Sequence, residues 1–332
     1  MKTRYLWLFA VLLLVCTACS PLRFLPPDRS LLTNVRLRST DGQVAPADYR
    51  LHIRQEANTR WLSVAKVPLG IYCMSGTNPR NPLNRLMHRI GEAPVAYNDT
   101  LMRYSQASLK NALRTKGYLH AQVDTLVQTE GRRTRLQYTM RPGRRTYVQE
   151  LSQVFDNDSI AQIVHADSAA SLLYRGMPLD FATLDAERSR MVELLQNSGY
   201  ININNEFIEY TADTIAHSTA VRLTLHLRLP PRADRALAYQ PYRIGKVNIF
   251  ETTGDVEPSD SSHYRNTHFY NEGRQRINRL VYVSNNFILA DSLYSERATR
   301  YTYQNLNALS AVNYSTLRYS NPEPGDSTID AN

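Results

Sequence analysis

This sequence predicts an α+β fold made of tandem units, each running strand, helix, helix, strand, strand. Three observations carry that expectation. An amphipathic helix ending in Gly-Tyr occurs twice, each exit is followed by strand-like runs of period-two alternation, and each pair of runs stops at a Pro-containing dipeptide.

A short apolar leader precedes the units. Lys2 and Arg4 stand before residues 6–15, a run much shorter than the roughly 20 apolar residues of a membrane span. It ends in Cys16-Thr17-Ala18-Cys19. Small residues ahead of a cysteine let a signal peptidase reach the backbone, and the thiol can accept lipid. The expectation is a signal peptide over 1–18, cleavage between Ala18 and Cys19, and lipid on Cys19. Two or more acyl chains anchor a protein stably where one is marginal. Cys16 departs from the more usual Leu or Val. The plainer alternative is an ordinary secretory signal with Cys19 an incidental thiol. Ser20 and the lack of an acidic run before Asp28 point, by analogy with bacterial sorting signals, to the outer membrane with the chain on its periplasmic side.

After a linker over 19–30, the first unit is expected at 31–143. Val35 and Leu37 mark its first strand, and an inserted stretch of about 58–90 carries Trp61, Pro68, Tyr72 and Cys73. Gly91-Glu92-Ala93-Pro94 then leads to a helix through Ser105, Leu109 and Leu113 that leaves by Lys116-Gly117-Tyr118. Gly117 suits the left-handed position that closes a helix. Ala121 and Val123 begin one strand, Glu130-Gly131 makes a turn, and Leu136, Tyr138 and Met140 alternate with polar residues up to Pro142-Gly143.

The second unit, 144–231, repeats this order. A strand at 147–155 and Gly176-Met177-Pro178-Leu179 precede a helix with Leu184, Met191 and Leu195, which exits through Asn197-Ser198-Gly199-Tyr200. A strand at 207–210 and a turn at Ala216-His217-Ser218 follow. Val221, Leu223, Leu225, Leu227 and Leu229 then alternate with Arg222, Thr224, His226 and Arg228, the pattern of a strand with one buried face. Pro230-Pro231 ends the unit.

A third unit over 241–332 opens on Tyr242-Arg243-Ile244-Gly245-Lys246-Val247, continues into a polar insertion of about 252–274, and has a helix from Leu293 through Tyr301, Leu306 and Leu309. A strand at 312–319 and the turn Asn321-Pro322-Glu323-Pro324-Gly325-Asp326 come last, with no closing strand expected. The third unit is therefore read as incomplete. A bare edge and an unfinished core make a poor terminus, which suggests a truncated product or a fragment.

Composition narrows the function classes. Removing 1–18 leaves 314 of the 332 residues, and the net charge of +9 falls to +7. Basic residues are dispersed among acids, which argues against nucleic acid and allows weak attraction to anionic headgroups. Only Cys73 would remain unlipidated in the mature chain, so no internal disulfide is possible.

The eight histidines show no short ligand spacing. His263 and His268 near Asp255, Glu257 and Asp260 could hold a metal, but a solvated loop is the simpler account, and His226 is expected on an exposed polar face. Asp185-Ala186-Glu187 is read as acids favouring a helix N-terminus, and Cys73 as a buried or incidental thiol. No nucleophile elbow, phosphate loop or dinucleotide fingerprint is present. No catalytic residue, metal site or cofactor is expected, and the chain is not read as an enzyme.

With these residues in hand, the chain resembles the periplasmic part of the BamA/TamA family of outer-membrane assembly factors, and more closely its lipoprotein branch in Bacteroidota, often called TamL. The repeated unit is similar to that family's POTRA domain. The echoes are Cys19-Ser20, Phe24-Leu25-Pro26-Pro27, Ser30-Leu31-Leu32, Gly91-Glu92-Ala93-Pro94-Val95, Lys116-Gly117-Tyr118 and Tyr242-Arg243-Ile244-Gly245-Lys246-Val247. The resemblance implies a chain held to the outer membrane by its N-terminal lipid, handling or scaffolding nascent outer-membrane proteins and docking a periplasmic assembly partner. Family members continue into a transmembrane β-barrel, for which this chain has no segment. The competing reading is a free-standing lipoprotein that binds an envelope protein or glycan.

Overall fold

The computed structural model describes residues 21–61, 66–75, 81–215, 219–231, 233–252, 260–272, 276–320 and 326–332. The expected signal, Ala18, Cys19, the turns at 216–218 and 321–325, and Asp255 and Glu257 lie outside the described residues. The chain divides into two compact units, Met1–Thr146 and Tyr147–Asn332. Among the described residues, no helix is long and apolar enough to cross a membrane.

The first compact unit holds one repeat. Its strands β1 (Leu31–Ser39), β2 (Gln122–Glu130) and β3 (Arg133–Arg141) form a sheet in the order β1-β3-β2, with β1 parallel and β2 antiparallel to the central β3. A 3-10 helix at Pro46–His52 takes the place of the first helix. The insertion supplies α1 (Val67–Met74) and α2 (Pro82–Ile90), and α3 (Asp99–Thr115) is the second helix of the repeat. Asn98 caps α3 by accepting from the Thr100 and Leu101 N–H groups. Alternation on β3 puts Leu136, Tyr138 and Met140 against Leu109 and Leu113 of α3 in one buried core. The other face of the sheet is polar, so burial is one-sided.

The second compact unit holds two repeats. In the first, β4 (Tyr147–Phe155), β5 (Ile208–Thr214) and β6 (Ala220–Leu227) form a sheet ordered β4-β6-β5 with the same parallel and antiparallel pairings. Its helices are α4 (Asp158–Ala166) and α5 (Phe181–Gln196). Val221, Leu223, Leu225 and Leu227 are fully buried, as are Met191 and Leu195 of α5. A one-turn helix, α6 (Arg235–Ala238), leads to the last repeat.

The last repeat departs from expectation twice. The polar insertion is not simply a loop, because Asp260–Tyr264 (β8) and Thr267–Asn271 (β9) form a hairpin whose inner strand pairs parallel with β7 (Arg243–Glu251). Its tight turn places Arg265 and Asn266 at φ 48° and 58°, the left-handed conformation a two-residue hairpin turn requires. The closing strand judged absent is present as β10 (Thr328–Ala331), which pairs parallel with the other edge of β7 and gives the order β10-β7-β9-β8.

The stretch 312–319 is not a strand over most of its length. Around the antiparallel Tyr319–Ala331 bridge, Arg318 and Asn332 exchange two backbone hydrogen bonds of 2.8 Å and Ser320 N–H donates to the Asp330 carbonyl at 2.9 Å, while Leu317 and Tyr319 pack on the core around Tyr242, Ile244 and Ile329. Pairing is thus confined to residues 318–320 against β10, and the apolar spacing ahead of them has no ladder. The helices of this repeat are α7 (Arg279–Ser284) and α8 (Glu296–Asn307).

Both Gly-Tyr exits are six-to-one helix closures. Tyr118 N–H donates to the Leu113 carbonyl and Tyr200 N–H to that of Leu195, each at 3.1 Å, with Gly117 and Gly199 at φ 90° and 102°. A Cβ on Gly199 would also stand 3.3 Å from Leu293, Pro241 and the Tyr242 carbonyl. Gly199→Ala is therefore expected to destabilise the second compact unit by about 1–2 kcal/mol from backbone conformation alone, with crowding adding to it. Urea denaturation of the full chain measures this, and an unchanged midpoint would contradict it.

Candidate strand-edge site

Each repeat must join its two helices through a connector that passes the second helix, and a connector N–H turned toward that helix needs an acceptor. The same helix position supplies it every time. Ser105, Glu187 and Thr302 are each the seventh residue of α3, α5 and α8, and each is almost fully buried. Ser105 Oγ accepts the Arg54 N–H at 2.9 Å, Glu187 Oε2 the Leu172 N–H at 2.9 Å, and Thr302 Oγ1 the Phe287 N–H at 2.8 Å. Glu187 is thus not an acid at a helix N-terminus, as the sequence suggested. It sits where the inward stripe of Leu184, Met191 and Leu195 would place an apolar residue. That interruption was the available signal.

Glu187 also accepts from Ser171 Oγ at 2.9 Å and from the Arg190 guanidinium through two bonds of 2.8 Å, and Arg190 pairs in turn with Asp167. Burial pushes the Glu187 carboxyl up, but the bonds from Arg190, Leu172 and Ser171 and the Arg190 charge outweigh it, leaving the pKa below the ordinary glutamate value.

The next helix position serves the sheet edge. Gln106 and Arg188, each the eighth residue of its helix, donate to the outermost strand: Gln106 Nε2 to the Val123 carbonyl at 2.7 Å and Arg188 Nε to that of Ile208 at 3.1 Å. In an antiparallel strand a residue's N–H and C=O point to the same side. Val123 and Ile208 therefore face away from the sheet, and so do Thr125, Val127 and Thr129 on β2 and Tyr210, Ala212 and Thr214 on β5. No strand among the described residues pairs with these edges. Ion pairs such as Arg141–Asp124 on the first sheet and Arg228–Glu209 on the second place charges beside them, a common guard against uncontrolled pairing.

The first strands have a second edge that is partly sealed. The segment ahead of the second helix bridges its beginning: Leu32 N–H donates to the Val95 carbonyl at 2.8 Å, Val148 N–H to that of Met177 at 2.9 Å, and Ile244 N–H to that of Ser292 at 2.8 Å. The motifs Gly91-Glu92-Ala93-Pro94-Val95 and Gly176-Met177-Pro178-Leu179 are these bridging segments. Past the bridge, among the described residues a further strand fills the edge in the last repeat alone, with β9 along Val247 to Glu251.

The carbonyls of both exit glycines accept from later backbone. The Gly117 carbonyl accepts from Thr146 N–H at 2.8 Å, and the Gly199 carbonyl from Tyr242 N–H at 2.9 Å. Within the second compact unit Asn197 Oδ1 accepts from Ser295 Oγ and Arg297 N–H, both at 2.9 Å, and Glu193 pairs with Arg300 at 2.9 Å. Asn197-Ser198-Gly199-Tyr200 is thereby a joint between two repeats as well as a helix end, a role the sequence did not disclose.

Elsewhere, the bare face of the first sheet forms a trough of about 530 Å³ lined by Arg36, Arg60, Arg133 and Arg135 with Glu130. His263 and His268 face each other across the hairpin with ring centroids 4.8 Å apart. No group of three metal-capable side chains lies together among the described residues. His226 is half-buried rather than exposed, and Cys73 is buried on α1.

The chain matches no protein-family model and no curated protein. Among solved structures it is similar to POTRA domains 3–5 of BamA from Haemophilus influenzae, at 10% identity over 92% of this chain and 97% of that one, with a TM-score of 0.42. It is similar also to POTRA domains 1–3 of Omp85 from Anabaena, at 10% identity over 92% and 95% of the two chains and a TM-score of 0.28. A third is CdiB from Escherichia coli, at 10% identity over 69% and 34% with a TM-score of 0.23.

Removing the Glu187 carboxylate leaves Arg190 with Asp167 alone and takes the acceptor from the Leu172 N–H, so Glu187→Ala is expected to cost about 3 kcal/mol, the lower end of the range for breaking a buried pair. Because the folded pKa is depressed, the carboxylate's contribution is present above the unfolded value of about 4.3 and is lost as pH falls through the folded value. Glu187→Gln should therefore flatten the acid limb of the stability curve, measured by urea titrations across pH. A parallel, unflattened acid limb would show that the pair contributes nothing.

Ser105→Ala and Thr302→Val should each cost about 1–3 kcal/mol, the penalty for an orphaned connector N–H, read from denaturation of the full chain.

Proposed function

We propose that this chain is the periplasmic POTRA region of an outer-membrane protein assembly factor, anchored through lipid on Cys19, that receives nascent outer-membrane proteins by adding their strands to its open edges. The observation that carries the reading is the edge geometry. Two repeats each leave a full outer strand, β2 and β5, with outward main-chain donors and acceptors and no pairing strand among the described residues. Main-chain pairing asks little of the incoming sequence, which suits a handler of many barrel strands. The last repeat adds support, because it accepts an added strand at its own first-strand edge, where β9 joins β7. The reading is of a binding scaffold without catalysis. The unit boundaries at 31–143, 144–231 and 241–332 belong to the same proposal, with Gly117-Tyr118 and Gly199-Tyr200 as the helix exits of the first two.

Proline removes a backbone donor and is tolerated on an edge strand where that donor faces solvent. Val127→Pro and Ala212→Pro should keep the fold, judged by circular dichroism, and should lose photo-cross-linking between edge positions and an unfolded outer-membrane barrel protein diluted from urea. Cross-linking that persists at full yield in the double variant would exclude strand addition at these edges.

A further inference from the structure

The insertion of the first repeat ends in a helix that leaves one face without a partner. On α2 (Pro82–Ile90), Asn84 and His88 face inward: Asn84 is buried, and His88 stacks on Tyr72 of α1 with ring centroids 4.4 Å apart while its Nε2 meets Ser75 Oγ at 2.6 Å. The helix is pressed hard onto α1, since a Cβ on Gly91 would lie 2.6 Å from the Tyr72 backbone nitrogen. On the opposite side Leu83, Leu86 and Ile90, spaced three and four apart, are 56%, 52% and 61% exposed. Arg85 and Arg89 lie together along one border of this stripe and are exposed. An apolar stripe bordered by arginines is the composition of a helix that lies in a membrane interface.

The start of the chain meets this same helix pair. The 3-10 turn Pro21–Phe24 packs on it: Phe24 sets its edge to Tyr72 at 5.2 Å and lies 6.3 Å from the His88 ring, and an Arg23 guanidinium nitrogen donates to the Ser75 carbonyl at 2.5 Å. Cys19 is two residues before Pro21, a reach of at most about 7 Å. A lipid on Cys19 therefore brings the bilayer surface to the α1–α2 pair.

We infer that α2 is a membrane-docking helix: Leu83, Leu86 and Ile90 enter the headgroup boundary of an anionic leaflet while Arg85 and Arg89 meet its phosphates. This rests on the lipid-anchored reading above and adds a contact that orients the first compact unit at the surface. One tether alone leaves a chain free to swivel; the docked helix removes that freedom.

The test uses the full chain expressed in a bacterial host with radiolabelled palmitate and reconstituted into phosphatidylethanolamine–phosphatidylglycerol vesicles. A bimane fluorophore on Leu86→Cys reports depth through quenching by doxyl-labelled lipid, and Cys73, being buried, is left in place. Quenching at this position is expected, and its loss is expected when Leu83→Ser, Ile90→Ser, Arg85→Gln and Arg89→Gln are added. All four side chains are exposed, so the fold is retained. Palmitate label and vesicle flotation without quenching would overturn the docking helix alone, as would quenching unchanged by the four substitutions. Absence of palmitate label would overturn the anchor and the docking with it.

Discussion

The architecture depends on how the connector between the two helices satisfies its backbone. Two helices lying on one face of a narrow sheet must be linked by a chain that crosses the core side, and one connector N–H in each repeat points into the second helix. An orphaned donor there costs about 1–3 kcal/mol, a large share of the stability of a small unit. Ser105, Glu187 and Thr302 meet this need from the same helical position. Fixing the connector also fixes which side of the helix faces outward. The neighbouring residue then falls at the sheet edge, where Gln106 and Arg188 reach the first outward carbonyl of β2 and β5. One internal hydrogen bond thus sets the register of helix against edge strand.

The edges that remain are graded rather than uniformly open. The start of every first strand is bridged by the segment ahead of the second helix, so pairing there is spent within the fold. The outer strands of the first two repeats keep their outward groups. The last repeat goes further and covers the rest of its first strand with a hairpin of its own, while backbone bonds between Arg318 and Asn332 and between Ser320 and Asp330 dress the far side of β10. Strand addition is thus a mode this chain already uses on itself. It confines openness to particular places, as a sheet with water-exposed edges must if it is not to aggregate through them.

Much of this was legible in the sequence, and the reason is periodicity. Val221 through Leu227 alternate without a break because one face is buried and one is not, and the two Gly-Tyr exits announce helix ends because positive φ favours glycine. Legibility failed where pattern and pairing part company. The strand-like spacing of 312–319 runs ahead of its ladder, because only residues 318–320 pair with β10 while Leu317 contributes a side chain to the core. Ser261, Ser262 and His263 form a true strand that looks like a polar loop, because its hairpin extends a sheet edge and few of its side chains are deeply buried. β10 is too short for its alternation to register. The edge site was foreseen as a class of surface, but its polar wardens were not. A buried serine, glutamate and threonine share a helical position without sharing a residue type, so only structure aligns them.

The choice of residue at that shared position differs in consequence. A hydroxyl answers the connector in the first and last repeats with one oxygen and no charge. In the middle repeat the connector offers two donors, the Ser171 hydroxyl and the Leu172 N–H, and a carboxylate has an oxygen for each. The charge this brings into the core has to be matched, and Arg190 supplies the match from one turn along the same helix while reaching Asp167 at the end of α4. Burial of an ion pair seldom gains net stability over an apolar alternative. What it does here is tie both helices and their connector to one side-chain network. The middle repeat carries an exit motif that also seats the repeat after it, through Asn197 and Glu193. These contacts lie on the same helix as Glu187, so fixing the rotation of α5 fixes the socket for the next repeat as well.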